Sequence, residues 1–138
     1  MDDRALERVA ARVRDAMESG AVEHPELAIF PLGAGFVASL LLGRHLQESG
    51  LGPVQFVEGW SVTGHRTHAW VERKSLLVDV TADQFSEVGD RVLVTRDATW
   101  HSQKFPNREI RPMPSLMAMV LADPAMARAL RTFGLALG

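Results

Sequence analysis

The sequence predicts an α+β protein, with a buried helix packed on a three- to four-stranded antiparallel sheet and further helices at the N- and C-terminal ends. Three observations carry that expectation. An amphipathic run opens the chain, a glycine-rich turn leads into a helix apolar on nearly every side, and the β-leaning runs then follow one another instead of alternating with helices. Helices grouped ahead of a meander give α+β, not a parallel βαβ sheet.

Leu6, Val9, Val13 and Met17 recur at three- and four-residue spacing, with Arg4, Arg8, Arg12, Asp15 and Glu18 on the other side. This spacing predicts an amphipathic helix over residues 3 to 19, closed by Ser19-Gly20. Residues 21 to 26, containing Pro25, form a loop. Pro31-Leu32-Gly33-Ala34-Gly35 is a glycine-rich turn. Residues 36 to 49 carry Phe36, Val37, Leu40, Leu41, Leu42 and Leu46, which predicts a central, buried helix ending at Ser49-Gly50.

A β-leaning run from Val54 to Val62 precedes a turn at residues 63 to 66. Residues 68 to 73 and 75 to 81 then form a hairpin, rich in Val, Leu and Trp and broken by Arg73-Lys74. A short strand is expected at 91 to 95. Residues 97 to 114 hold three prolines and little periodicity, and read as an irregular surface wrap anchored by Trp100 and Phe105. The tail, 114 to 138, splits into two helices, with Asp123 as cap and Pro124 as the first helical residue.

The hairpin concentrates the chemistry. Alternate strand residues share a face, so His68, Trp70 and Glu72 point one way, and Leu77 and Asp79 share one face of the next strand. A turn near Arg73-Lys74-Ser75 brings His68 beside Asp79. A carboxylate beside an imidazole fixes its tautomer and stabilises its cation, which is two thirds of a nucleophilic triad. The structural alternative is a half-buried histidine bonded to an aspartate for stability alone.

Composition narrows the function classes. The 138 residues, 46% hydrophobic, make a single domain (1–138) able to bury roughly two thirds of its unfolded surface. The net charge of −2 and scattered Lys and Arg give no footprint for nucleic acid. No apolar run approaches ~18 residues, so no membrane association and a cytoplasmic location are expected. The absence of cysteine excludes disulfides, thiolate metal sites and thiol catalysis by this chain. Gly33 and Gly35 lack the Lys-Ser/Thr pair of a phosphate loop. His65, His68 and His101 lack zinc-ligand spacing. Neither a cofactor nor a metal is expected.

A family resemblance follows from Phe30-Pro31-Leu32-Gly33, Ala38-Ser39, the strand His68-Ala69-Trp70-Val71-Glu72, and Val78-Asp79-Val80-Thr81-Ala82-Asp83-Gln84-Phe85. Over residues 27 to 101 the chain resembles the transglutaminase-like and papain-like cysteine hydrolase superfamily. Within it, the motifs are similar to those of a small uncharacterised bacterial group, and the His-Ala-Trp strand to that of the proteases that mature lasso-peptide precursors. The resemblance implies a nucleophilic cysteine at the start of the buried helix, where the helix terminus lowers a thiol's pKa and offers an oxyanion hole. That position falls at Gly35, or less well at Ala34, and neither is a nucleophile. Phe36 and Val37 also depart from the small or acidic residues of such relatives.

The resemblance thus implies a catalytically silent relative of thiol-dependent amide hydrolases that keeps His68 and Asp79. Its cleft, lined by Phe36, Trp70 and Gln84, binds a peptide or protein partner. The alternative is an active hydrolase with His68 as general base on water, or with Ser39 as nucleophile. Ser39 also reads as a small packing residue whose hydroxyl is bonded back to a carbonyl. Asp83 and Gln84 read as caps of the turn after the strand, with Gln84 also available as a donor to the cleft.

Overall fold

A computed structural model describes residues 3–138. Helix α1 (Asp3–Glu18) buries Leu6, Ala10, Val13 and Met17, and the chain turns away at Gly20, whose φ of 78° suits glycine. Helix α2 (Gly35–Glu48) buries nine of its fourteen residues, as an all-round apolar helix must. It begins one residue earlier than its sequence pattern indicates.

Strands β1 (Gln55–Trp60), β2 (Thr67–Arg73), β3 (Leu76–Asp79) and β4 (Leu93–Thr95) continue the order, followed by α3 (Thr99–Lys104), β5 (Asn107–Pro112), α4 (Met113–Val120) and α5 (Pro124–Leu137). The sheet is antiparallel throughout, in the order β4-β3-β2-β1-β5. The α+β class therefore holds, with five strands in place of three or four. The fifth arises from the segment expected to wrap irregularly. Asn107 to Pro112 pair with β1 along its whole length, Gln55 opposite Pro112 through Trp60 opposite Asn107. No apolar alternation marked β5, because it is an edge strand with every residue but Arg111 exposed.

The hairpin turn comprises Lys74 and Ser75, with Arg73 opposite Leu76 and Lys74 at a φ of 57°. Asp123 caps α5 by accepting a hydrogen bond from the Ala125 amide at 3.1 Å, with Pro124 as the first helical residue.

The sheet is covered on both faces. Helix α2 lies on one, forming the main core with α1, α4 and α5. The other carries a smaller aromatic cluster of Val57, Trp70, Leu77 and Phe105, with Phe85 and Trp100 at its margin. Gly59 permits that second layer, since a Cβ there would stand 2.7 Å from Phe105 Cβ and 2.9 Å from Trp70 Cη2. Its missing side chain lets α3 and Phe105 approach the backbone of β1, which sets His101 over the sheet.

Candidate functional site: a buried His–Asp–His cluster at a helix tip

Three elements meet beside the end of β3. The register pairs Val71 with Val78 and Glu72 with Leu77, so β3 stops just as β2 reaches His68. Alternation places His68, Trp70 and Asp79 on the aromatic face of the sheet. The Asp79 Oδ2 atom lies 2.7 Å from His68 Nε2 and 2.8 Å from His101 Nε2. Its Oδ1 accepts the Thr81 amide at 3.0 Å. All three side chains are buried, Asp79 completely.

Burial alone would push the Asp79 carboxyl up. The charge of His68 and the hydrogen bonds from His101 and His68 outweigh it and hold the group well below the ordinary carboxylate range. In the neutral ring with Nε2–H given to Asp79, Nδ1 is the acceptor nitrogen, whereas in the protonated ring it is a second donor. That nitrogen faces the N-terminus of α2. A Cβ built on Gly35 would lie 2.9 Å from His68 Nδ1, 3.3 Å from its Cε1 and 3.3 Å from the Ala69 amide nitrogen. The imidazole occupies space that a side chain at position 35 would need.

The helix tip has no side-chain cap at Ala34, so its first amides remain unsatisfied by the helix itself. Gln84 bridges tip and ring: its Oε1 accepts the Gly33 amide at 3.1 Å and its Nε2 stands 3.5 Å from His68 Nδ1. A cavity of about 270 Å³ opens in front of His68, with Gly35, Phe36, Thr67 and Gln84 in its walls and the carboxylates of Glu26 and Glu58 beside them. Glu58 is half-buried on β1, between β2 and β5, and burial pushes its carboxyl up.

Several expectations need correction. Trp70 is not a wall of this cavity: it is fully buried beneath His101 and Phe105 on the aromatic face, its indole N–H donated to Glu72 at 2.8 Å. Asp83 does not cap the turn; it binds the guanidinium of Arg14 at 2.6 Å. Ser39 is buried and donates its hydroxyl at 2.9 Å to the Ala69 carbonyl of β2, not to its own helix. His65 is exposed in the turn where the sequence placed it and is not part of the cluster.

The sequence raised His101 only as a zinc ligand with His65 and His68 and set it aside on spacing; its place beside Asp79 is what sequence reasoning missed. The residue lies on a helix of six residues, too short for periodicity to announce, within a segment that lacked strand signals.

His68, Asp79 and His101 bring three potential metal-ligand atoms within 4.8 Å of one another. Their spacing is that of hydrogen bonds, since both imidazoles meet the same oxygen at 2.7 and 2.8 Å. Ligands sharing a tetrahedral zinc at about 2.0–2.1 Å would stand roughly 3.3 Å apart.

Comparison of the chain with protein-family models, with curated proteins and with solved structures finds no match. No helix among the described residues is long and apolar enough to cross a membrane. Fold and site together define an α+β protein with an acceptor imidazole, held by a buried carboxylate, at the uncapped tip of a buried helix.

Proposed function

We propose that this chain is a catalytically silent relative of thiol-dependent amide hydrolases, of the transglutaminase-like and papain-like kind, whose cleft in front of His68 binds a peptide segment. The observation that carries this reading is that position 35, at the tip of α2, faces His68 Nδ1, a Cβ built there standing 2.9 Å away, so that a side chain fits only if the ring shifts. A nucleophile at that position would have its base beside it, an orienting carboxylate behind the base, and helix amides in front to hold an oxyanion. Glycine supplies none of the covalent chemistry and leaves the cavity open.

Two variants test the reading. Native protein should bind short peptides without turning over amide or ester probes. Gly35→Cys should acquire a thiol whose alkylation by iodoacetamide accelerates at lower pH than that of a free cysteine, together with thiol-dependent ester hydrolysis that His68→Ala abolishes. Circular dichroism and a thermal melt confirm that each variant is folded. A folded Gly35→Cys protein whose thiol titrates as an ordinary cysteine would overturn the ancestry. Turnover by the native chain, lost in His68→Ala, would favour the hydrolase alternative; its loss in Ser39→Ala as well would identify the nucleophile.

A further inference from the structure

We propose that His101 is a positioning residue for His68: it shares the Asp79 oxygen, stays neutral itself, and holds His68 towards the neutral form whose bare Nδ1 is a hydrogen-bond acceptor. The inference goes beyond the ancestry of the site, because the proton arrangement of the cluster is the same for a silent and for an active cleft.

The protons can be placed from the hydrogen bonds. Asp79 Oδ2 lies 2.7 Å from His68 Nε2 and 2.8 Å from His101 Nε2. An ionised carboxylate only accepts, so both Nε2 atoms carry hydrogen. A further proton can then enter only at one of the two Nδ1 atoms, and their surroundings differ. His101 is 2% exposed, and its Nδ1 is buried with no hydrogen-bond partner among the described residues. The rings of Trp70 and Trp100 stand edge-on to it, with centroids at 4.6 and 4.7 Å. A proton there would create a buried charged group whose new N–H has no acceptor, a heavier cost than a bare lone pair. His68 Nδ1 instead points to the tip of α2 beside the cavity, with position 35 and the Gln84 side chain as its neighbours. Any proton the cluster gains belongs on His68.

His101 also opposes that gain. A lone carboxylate stabilises the cation of an imidazole bonded to it. Here the second imidazole donates to the same oxygen, and the Thr81 amide donates to the other at 3.0 Å. The Asp79 charge is thus satisfied without a cationic His68. The other charges around the cluster do not take over this role. Glu26 and Glu58 line the cavity and favour a proton on His68. Lys104 lies over the Phe85 and Trp100 rings and is bonded to Glu87. Glu72 takes the Trp70 indole N–H and pairs with Arg108. A neutral His68 shows the cavity an acceptor, and the ligand group that complements it is an N–H or O–H, as a peptide amide provides.

The test follows the imidazole nitrogen resonances of the full chain from about pH 5 to 8, the range in which histidine ordinarily changes charge. In the native protein His68 and His101 should both carry hydrogen on Nε2 and none on Nδ1 at the upper end, and on acidification the added proton should appear on His68 alone. His101→Phe should raise the midpoint of the His68 titration by roughly one pH unit, a tenfold change in the ratio of charged to neutral ring. His101→Gln, whose amide can donate to the same Asp79 oxygen, should restore the native midpoint. Loss of packing alone would lower the urea midpoint of His101→Phe and leave the His68 titration in place, which would overturn the proposal. So would a His101→Gln titration matching that of His101→Phe. The native spectra decide the proton arrangement even where His101→Phe does not fold: hydrogen on His101 Nδ1, or a His101 that titrates together with His68, would overturn it outright.

Discussion

At the scale of single residues, the Asp79 carboxylate organises the site, since one oxygen serves two buried imidazoles. Removing one partner of a buried, hydrogen-bonded charged group leaves the others uncompensated, at a cost of about 3–5 kcal/mol. Asp79→Ala is therefore expected to lose about that much stability in urea denaturation, more than truncating an exposed aspartate such as Asp97. A loss under 1 kcal/mol would mean that the two rings find other acceptors. Gly35→Ala presents the opposite problem, an added atom. Alanine is normally the better residue in a helix by up to about 1 kcal/mol, but here its Cβ would stand 2.9 Å from His68 Nδ1. The ring cannot swing away without breaking its 2.7 Å bond to Asp79. The variant should therefore be destabilised by about 1–3 kcal/mol, with the His68 ring resonances shifted in NMR spectra; a gain in stability would show that the ring yields freely. The meeting of His68 and Asp79 was legible in the sequence because strand alternation and a short hairpin turn leave few ways to pair them. His101 was not, because nothing local in Thr-Trp-His-Ser-Gln-Lys says which surface a single helical turn will cover.

At the scale of elements, Arg14 ties α1 to the segment that follows β3. Its side chain is only 5% exposed and donates to Asp83 at 2.6 Å, Glu18 at 2.6 Å and the Val80 carbonyl at 2.9 Å. Val80 adjoins Asp79, and Asp83 adjoins Gln84, so this one guanidinium braces the backbone that carries two site residues. Arg14→Met keeps the apolar stem and removes the donors, leaving Asp83 and the Val80 carbonyl without their cation. A loss of about 3 kcal/mol is expected from breaking such a buried arrangement, with amide exchange faster at Thr81 and Gln84 than at α5. Uniform acceleration across the chain would mean that Arg14 contributes to global stability without bracing the site. Periodicity had placed Arg14 only by implication, on a helix whose buried face was read from its apolar stripe. A charged residue inside that face is invisible to a pattern of hydrophobic spacing. The same limit hid β5, whose hydrogen bonds to β1 are made by backbone groups while its side chains face water. The elements that did read correctly, α1, α2, the hairpin and the Asp123-Pro124 boundary, each have apolar spacing or a capping residue with a local physical cause.

For the whole molecule, the buried charges set how stability changes with pH. Asp79 has its folded pKa depressed, so its contribution is fully present above the unfolded value, about 4, and is lost as pH falls through the folded one. Glu18, exposed at the end of α1, has the same sign, its carboxyl lowered first by the hydrogen bond from Arg14, but solvent screening leaves it the smaller contribution. Glu58 runs the other way. Burial raises its pKa, so the stability of its neutral form is present below the unfolded value and disappears as pH rises through the raised one. The native protein should therefore show its greatest urea midpoint at mildly acidic to neutral pH and a decline that steepens below about pH 4. Asp79→Asn, less stable at neutral pH, should flatten that acid decline because it has no proton to take up. Glu58→Gln should match the native midpoint near pH 4 and exceed it at pH 7, the gap opening as the native carboxylate ionises in its half-buried place beside Glu109. Urea midpoints of the three proteins from pH 3 to 8 decide it. An acid decline as steep in Asp79→Asn as in the native chain would move the acid-sensitive charge elsewhere, and a Glu58→Gln midpoint below the native one at pH 7 would mean that the Glu58 carboxylate is already satisfied in the unliganded fold.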